Sequence, residues 1–403
     1  MLNILFLCRS FGKNYSACGV CSYNLVSEFR KRGHRVWIIS IGQDPLQNAD
    51  IEGGYYFIKE DRLEFIIRKL QQQKFVFSAV LVFFIRIIRL FRALLFYPNT
   101  SRSKSKEVFN LANAIIKQNK IDIVVGTYTP FYTLEPAVRI KEIYGKKIKV
   151  VTYHYDPLIL PDEGIKPVIL FKEKRSLSKL KKECNVVDLV LKQRSTIGIF
   201  NSPVIRYVGL PLFIKNQCSN INSIHYDVIK ISYVGTLDRE NRNPSGLFDC
   251  LRQVYSMLSK KIEIHVWGQI LDQETRRILN EYEVSYHGLA DIDDVPMILS
   301  ESNILINISN KLSYKAIPSK IFQLFASGRP IINYVFNAKD VSIQYFEDYK
   351  NVFNLFSTDK DDTTLFRLKD FIAEKAFSQS QDCAECFNYS DPVFICDLME
   401  KTI

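Results

Sequence analysis

The fold of this chain is most restricted by a repeated alternation of short, wholly apolar runs with longer amphipathic ones. Residues 2–8, Val36–Ile39, Ile121–Val125 and Ile148–Tyr153 are strand-length and almost uniformly apolar. A strand apolar at every position is buried on both faces, which a parallel sheet under helical crossovers provides. Between the first two runs lie a glycine-containing loop, Arg9 to Gly19, and a helical pattern. That pattern puts Leu25, Val26 and Phe29 on one side and Glu28, Arg30 and Lys31 on the other, and Gly33 ends it. Val186–Leu191 and Ile205–Val208 read as the last strands of this half. Gly209-Leu-Pro211 reads as a hinge. A second array then begins, with runs at Ile229–Val234, Ile262–Trp267, Val284–His287, Ile304–Asn307 and Pro330–Asn333. The 403 residues are enough for two cores of ordinary size. The predicted class is therefore α/β, with two Rossmann-like doubly wound domains facing across a cleft. The expected divisions are residues 1–208, residues 209–387, and a terminal helix over 388–403 that crosses back to the first domain.

Charge narrows the partners. The formal net charge of +11 favours anionic ones: phosphates, acidic lipid or nucleic acid. The basic residues are spread out, with no basic-aromatic cluster or known motif, so no nucleic-acid partner is expected. Nine scattered cysteines fit a reducing, cytoplasmic setting. The opening apolar run has no basic leader or small-residue cleavage site, and reads as a strand. Cys18/Cys21 and Cys383/Cys386 are two C-x-x-C pairs. They lie at opposite ends of the chain, unlike zinc ribbons, and are expected to be packing residues rather than zinc or redox sites.

Residues 63–97 stand apart. From Phe75 to Tyr97 the run is nearly all apolar, interrupted by Arg86, Arg89 and Arg92. On a helix these arginines fall within about 120° of one another, with Lys74 on the same side. A membrane-spanning helix would bury three arginines at roughly 2.5–3.5 kcal/mol each. An interfacial helix, apolar face in lipid and arginines at anionic headgroups, fits better. A buried helix with arginines reaching solvent stays open. An inner-face peripheral location on an anionic membrane is the expectation.

Chemistry is expected at the carboxyl ends of the strands. In the first half these ends carry Thr127, Tyr128, His154 and Asp156. In the second half, Gly235 follows a strand and lets a ligand approach the backbone. Arg239 and Arg242 in the same loop offer guanidinium forks suited to a diphosphate, although loop arginines are commonly just solvated. Pro318-Ser319-Lys320 opens a helix whose free N–H groups and lysine charge suit an anion, with Gln323 on its first turn. Gly328 ends that helix. An ordinary capped helix is the alternative. Asp291 and Asp293 form an Asp-x-Asp, read as acidic residues at a helix start rather than metal ligands.

These segments together resemble the large retaining GT-B glycosyltransferase family (group 1). The first βαβ unit is matched by Ile4 to Phe11, Gly19-Val20 and Lys31-Arg-Gly-His34. The family's strand-plus-histidine is matched by Val150-Val-Thr-Tyr-His154. Its donor half is matched by Tyr233-Val-Gly-Thr236 and by Pro318-Ser-Lys-Ile-Phe322 with Gly328-Arg-Pro330. The likeness runs along nearly the whole chain. It implies a nucleoside-diphosphate-sugar donor, a saccharide or lipid-linked saccharide acceptor for surface polysaccharide, and no required metal or other cofactor. It implies diphosphate contacts for Gly235, Arg242, Ser319 and Lys320, with Arg239 nearby. His154 would reach the transferred sugar, and Gly19 would let the donor lie close. The chain departs from the family where a glutamate pair usually stands: Gln323 occupies the second position and Lys315 the first. Thr236 replaces a basic residue. A non-catalytic GT-B scaffold at the membrane is the alternative these departures suggest.

Overall fold

The computed structural model describes residues 1–12, 16–42, 53–59, 95–156, 166–193, 202–213, 227–291, 293–312, 318–347, 349–359, 361–378 and 387–401, with single positions 85, 87, 88, 91, 158 and 314. The four cationic positions of the 74–97 stretch (Lys74, Arg86, Arg89 and Arg92), Lys315, Cys383 and Cys386 lie outside the described residues. Contacts divide the chain into two units. One is Met1–Pro211 with Pro392–Ile403, and the other is Leu212–Asp391.

The first unit is a seven-stranded sheet in the order β3-β2-β1-β4-β5-β6-β7, with every pairing parallel. Its strands are β1 (Asn3–Leu7), β2 (Arg35–Gly42), β3 (Gly53–Lys59), β4 (Ile123–Tyr128), β5 (Lys149–His154), β6 (Leu189–Lys192) and β7 (Ile205–Tyr207). Among the described residues four long helices connect them: α1 (Ala17–Lys31), α2 (Arg102–Gln118), α3 (Phe131–Tyr144) and α4 (Lys166–Val186). Ile4, Phe6, Val36, Ile38, Val124 and Val150 are wholly buried, as continuous apolar strands require. At Gly126 in β4 a Cβ would come within 2.6 Å of the Ala137 Cβ, so the glycine lets α3 lie close on the sheet.

The second unit is a six-stranded sheet, β10-β9-β8-β11-β12-β13, again parallel throughout. Its strands are β8 (Val228–Val234), β9 (Lys261–Trp267), β10 (Ser285–Tyr286), β11 (Ile304–Ile308), β12 (Ile331–Val335) and β13 (Val352–Phe356). Its helices are α5 (Ser245–Tyr255), α6 (Gln273–Glu281), α7 (Val295–Ser300), α8 (Ile321–Ser327), α9 (Val341–Phe346) and α10 (Asp362–Lys375). One face of this sheet is apolar, with Ile229, Ile231, Ile304, Ile306 and Ile332 in a common core. The other carries a buried amide ladder. Asn307 Nδ2 donates to Asn333 Oδ1 at 2.7 Å, and Asn333 Nδ2 donates to Asn354 Oδ1 at 2.7 Å. Those residues are register partners across β11, β12 and β13. A slip of one residue would strand two buried amides and a partly buried one, so the ladder fixes the register.

The terminal helix α11 (Pro392–Glu400) packs on α1 in the first unit. Arg32, just past α1, is the tie. Its guanidinium pairs with Glu28 at 2.8 Å, Asp397 at 2.7 Å and Glu400 at 2.9 Å, and these carboxylates hold it charged. Among the described residues no helix is long and apolar enough to cross a membrane.

The structure moves several sequence expectations. β6 begins at Leu189 because α4 runs through Val186. β3, β13 and α4 are elements the apolar pattern did not reveal. Because Arg32 is only 19% exposed and has three carboxylate partners, its loss should matter more than that of a surface ion pair. Arg32→Ala should lower the unfolding free energy by about 1–3 kcal/mol in urea titration; an unchanged midpoint would mean that α11 is held by apolar packing alone.

Candidate functional site

In a doubly wound sheet the strand order reverses at one point, and the strands there part their loops to opposite sides. In the second unit that point lies between β8 and β11. Gly235 follows β8, and Ser309-Asn310 follows β11. The expected donor-half residues are found here.

Gly235 is buried, and its N–H donates to Trp267 O at 2.7 Å. Gly268, directly after β9, has φ +135°, and a Cβ there would lie 1.8 Å from Gly235 O. Two glycines on neighbouring parallel strands thus let the two strand tips close on each other. A Cβ on Gly235 would meet the Tyr233 hydroxyl at 2.5 Å and Lys320 Nζ at 2.9 Å. Lys320 donates from Nζ to Val234 O at 2.8 Å. It stands at the cap of α8, a short helix that Gly328 closes in the left-handed conformation, φ +67°. Gln323 lies on the first turn of that helix, partly exposed, and Ser319 lies in the turn before it.

Arg242 converges on the same place. Its Nε donates to Asn310 Oδ1 at 2.8 Å, and its side chain also bonds Tyr233. The loop carrying it is braced by Asp238, whose Oδ1 accepts from the N–H groups of Glu240 at 3.0 Å and Asn241 at 2.6 Å. Among the described residues no carboxylate pairs with Lys320 or Arg242. Burial pushes the Lys320 ammonium down to about 8, and the Arg242 charge adds to the shift. Burial also raises the Tyr233 phenol to about 12, although Arg242 opposes it. The site is therefore a strand tip with two uncompensated cations, one of them desolvated, which suits an anionic ligand.

Arg239 does not join them. Its backbone N–H donates to Asp272 Oδ2 at 2.8 Å, and the residue is exposed. Asp272 caps α6, so this bond anchors the loop to that helix.

In the first unit His154 ends β5 and is wholly buried, at 0% exposure. Its Nε2 is 2.8 Å from Glu183 Oε1 on α4, and Thr152 Oγ1 donates to the same oxygen. Its ring lies against Tyr128 with centroids 5.6 Å apart. The imidazole therefore has no surface of its own to offer a ligand in this conformation. At the same edge, Thr129 Oγ1 donates to Asp156 Oδ2 at 2.7 Å, and Thr127 Oγ1 donates to Leu7 O at 3.1 Å. Gly19 belongs to the first turn of α1 rather than to the loop. Its N–H donates to Ser16 Oγ at 3.1 Å, and a Cβ would sit 3.2 Å from Gly12 O. Gly19 thus lets the loop fold over the helix start.

Gly268, Asn310 and Glu183 escaped the sequence reading, and Tyr233 entered it only as part of a motif, with no role. Only Gly268 left a signal, a second glycine directly after an apolar strand, as at Gly235. In the first unit Cys8, Cys18 and Cys21 cluster near the start of α1, but burial raises all three thiols, Cys8 and Cys18 to about 12, so they are poor nucleophiles. Among the described residues no group of His, Cys, Asp or Glu is arranged to hold a metal.

Lys320 can be tested without a ligand. Its ordinary value is 10.5, and folding lowers it to about 8. The folded state thus holds the protonated side chain less well than the unfolded state, and below about pH 8 this destabilises the protein. Lys320→Met should be at least as stable as the wild type at pH 7. The difference should narrow as pH rises from about 8 towards 10.5, read by thermal unfolding. A variant less stable at pH 7 would mean that the Val234 bond outweighs desolvation.

No protein-family profile and no curated protein matches the chain. Solved structures do. The Anabaena HepE complex with UDP-glucose aligns with TM-score 0.59 at 12% identity, over 100% of this chain and 99% of that one. S. aureus TarM, in complex with fondaparinux, α-GlcNAc-glycerol and UDP, aligns with TM-score 0.59 at 10% identity, over 99% and 100%. The lipopolysaccharide outer core galactosyltransferase WaaB, in its apo form, aligns with TM-score 0.55 at 14% identity, over 98% of each chain. At such identities the likeness concerns the fold, and with the two parallel sheets it shows that this chain has the two-domain, Rossmann-like GT-B fold.

Proposed function

We propose that the chain is a retaining glycosyltransferase that moves a sugar from a nucleoside-diphosphate-sugar to a saccharide or lipid-linked saccharide acceptor at a membrane surface, in surface-polysaccharide synthesis. The observation that carries the reading is the convergence of Lys320 and Arg242 on the Gly235 strand tip, at the switch point of the second sheet. Two uncompensated cations at a strand tip suit a diphosphate. The solved neighbours support the choice of ligand: HepE was captured with UDP-glucose, and TarM with UDP.

In this reading the bond from the anomeric carbon to the diphosphate breaks first. Lys320 and Arg242 take up the charge that develops on the leaving oxygen, the role otherwise open to a metal ion. An acceptor hydroxyl attacks from the side the diphosphate has left, and a diphosphate oxygen receives its proton. Retention follows from that same-side attack. Ser319 and Gln323, at the start of α8, would contact the diphosphate and the nucleoside. Gln323 can accept hydrogen bonds but brings no charge, so it binds ribose hydroxyls more weakly than a glutamate would. His154 enters as a positioning residue, fixed by Glu183 and supporting Tyr128. A peripheral, cytoplasmic-face location would follow from a lipid-linked acceptor.

UDP titration by calorimetry should show binding to the wild type. Lys320→Ala and Arg242→Ala should each weaken it about tenfold or more. Because Lys320 binds the diphosphate as its protonated form, affinity should be level below pH 8 and fall as pH rises above about 8. Sugar transfer should drop by about 10²-fold in each variant. His154→Ala should lower turnover while leaving the UDP dissociation constant unchanged. A wild type that binds no nucleoside diphosphate would contradict the proposal.

A further inference from the structure

Helix α4 carries seven Lys or Arg residues against two Glu, and one of those, Glu183, is buried with His154. Its outward side is mixed. Leu170, Phe171 and Leu177 are 48%, 41% and 43% exposed, and Lys174, Lys181 and Lys182 are exposed among them. The residues before α2 lie against this helix. Arg175 Nη1 donates to Leu95 O at 2.8 Å, and Lys172 stands 5.8 Å over the Tyr97 ring. That segment adds exposed apolar side chains of its own, with Phe91 at 62% and Leu95 at 63%. Large apolar residues exposed together on one side of a folded unit mark a contact surface.

A groove of about 410 Å³ adjoins this surface, lined by Arg102, Lys106, Arg139 and Lys182 with Glu135 and Glu142, and Lys182 Nζ pairs with Glu142 at 2.9 Å. Two of its cations lean on rings rather than on acids: Arg139 lies 4.1 Å over Phe109, and Arg102 lies 4.6 Å over Phe96. Among the described residues neither these two nor Lys106 pairs with a carboxylate. Glu135 is occupied by Asn99 and Ser105. Apolar side chains interleaved with lysines, next to a cationic groove, match one occupant. The apolar groups suit the acyl boundary of a bilayer, and the cations suit its phosphates.

We infer that the outer face of α4, with Phe91 and Leu95, docks the first unit on a bilayer rich in anionic phospholipid, and that the Arg102–Lys106–Arg139 groove takes headgroup phosphate. The inference rests on the membrane part of the function proposed above and gives it a location. It is independent of the cationic site around Gly235.

Co-sedimentation with phosphatidylcholine vesicles, with and without phosphatidylglycerol, tests it. The wild type should partition onto the anionic vesicles at low salt, several-fold less at high salt, and little onto phosphatidylcholine alone. Lys174→Glu with Lys181→Glu should weaken partitioning about tenfold or more, since each lysine contributes at the surface. Leu170→Ser with Leu177→Ser should weaken it even at low salt, because the apolar contribution is not screened. Both double variants replace exposed side chains and should melt and bind UDP as the wild type does, which separates this inference from the donor-site reading. No partitioning of the wild type onto anionic vesicles at low salt would overturn the inference. So would variants that bind vesicles as the wild type does, or exposed leucines that prove to join two copies of the chain in sedimentation analysis.

Discussion

A lysine ammonium with a carbonyl for its hydrogen bond and no acid beside it is an unusual thing for a protein to hold. Among the described residues Lys320 is in that position, bonded to Val234 O with Arg242 adding like charge. Desolvation and repulsion both disfavour the arrangement, so the surrounding structure must impose it. Gly235 and Gly268 let two strand tips close, Asn310 and Tyr233 orient Arg242, and Asp238 braces the loop between. An anion bound there, as proposed, would release the free energy held in the site, which is what preorganised charge means.

The rigidity this needs comes from the polar face of the second sheet. The Asn307–Asn333–Asn354 ladder fixes β11 against β12 and β13, and thereby the register of Asn310 three residues further on. The first sheet uses a related device at His154. There Glu183 and Thr152 close a buried polar cluster at the tip of β5, beside the largely buried Tyr128. A histidine at a strand end can serve by contact or by support, and the burial of this one favours support.

The sheet strands were legible because a two-faced buried strand needs apolar residues at nearly every position, and Ile4–Leu7 and Val36–Ile39 show that outright. β3 and β13 were not, because each is an edge strand only partly buried, with tyrosines, glycines or asparagine in place of aliphatic residues. α4 was hidden because its outer side mixes leucine and phenylalanine with lysine, which blurs the helical period. At the site, Gly235, Arg242 and Lys320 were found by residue type and motif. Asn310, which holds Arg242, and Glu183, which holds His154, were not, because they are ordinary residues whose importance comes only from what the fold brings beside them. Arg239 and Gly19 also fit a functional pattern; in the fold the first is exposed with its N–H on Asp272, and the second sits in the first turn of α1 against the Ser16 hydroxyl.

The central claim, a desolvated lysine kept ready for a diphosphate, is tested most directly by following the Lys320 side-chain nitrogen by NMR across pH, with and without UDP. The account requires a midpoint near 8 in the free protein and a clear rise towards the ordinary lysine value of 10.5 when UDP is bound. A midpoint already at the ordinary value, or one that UDP leaves in place, would contradict it.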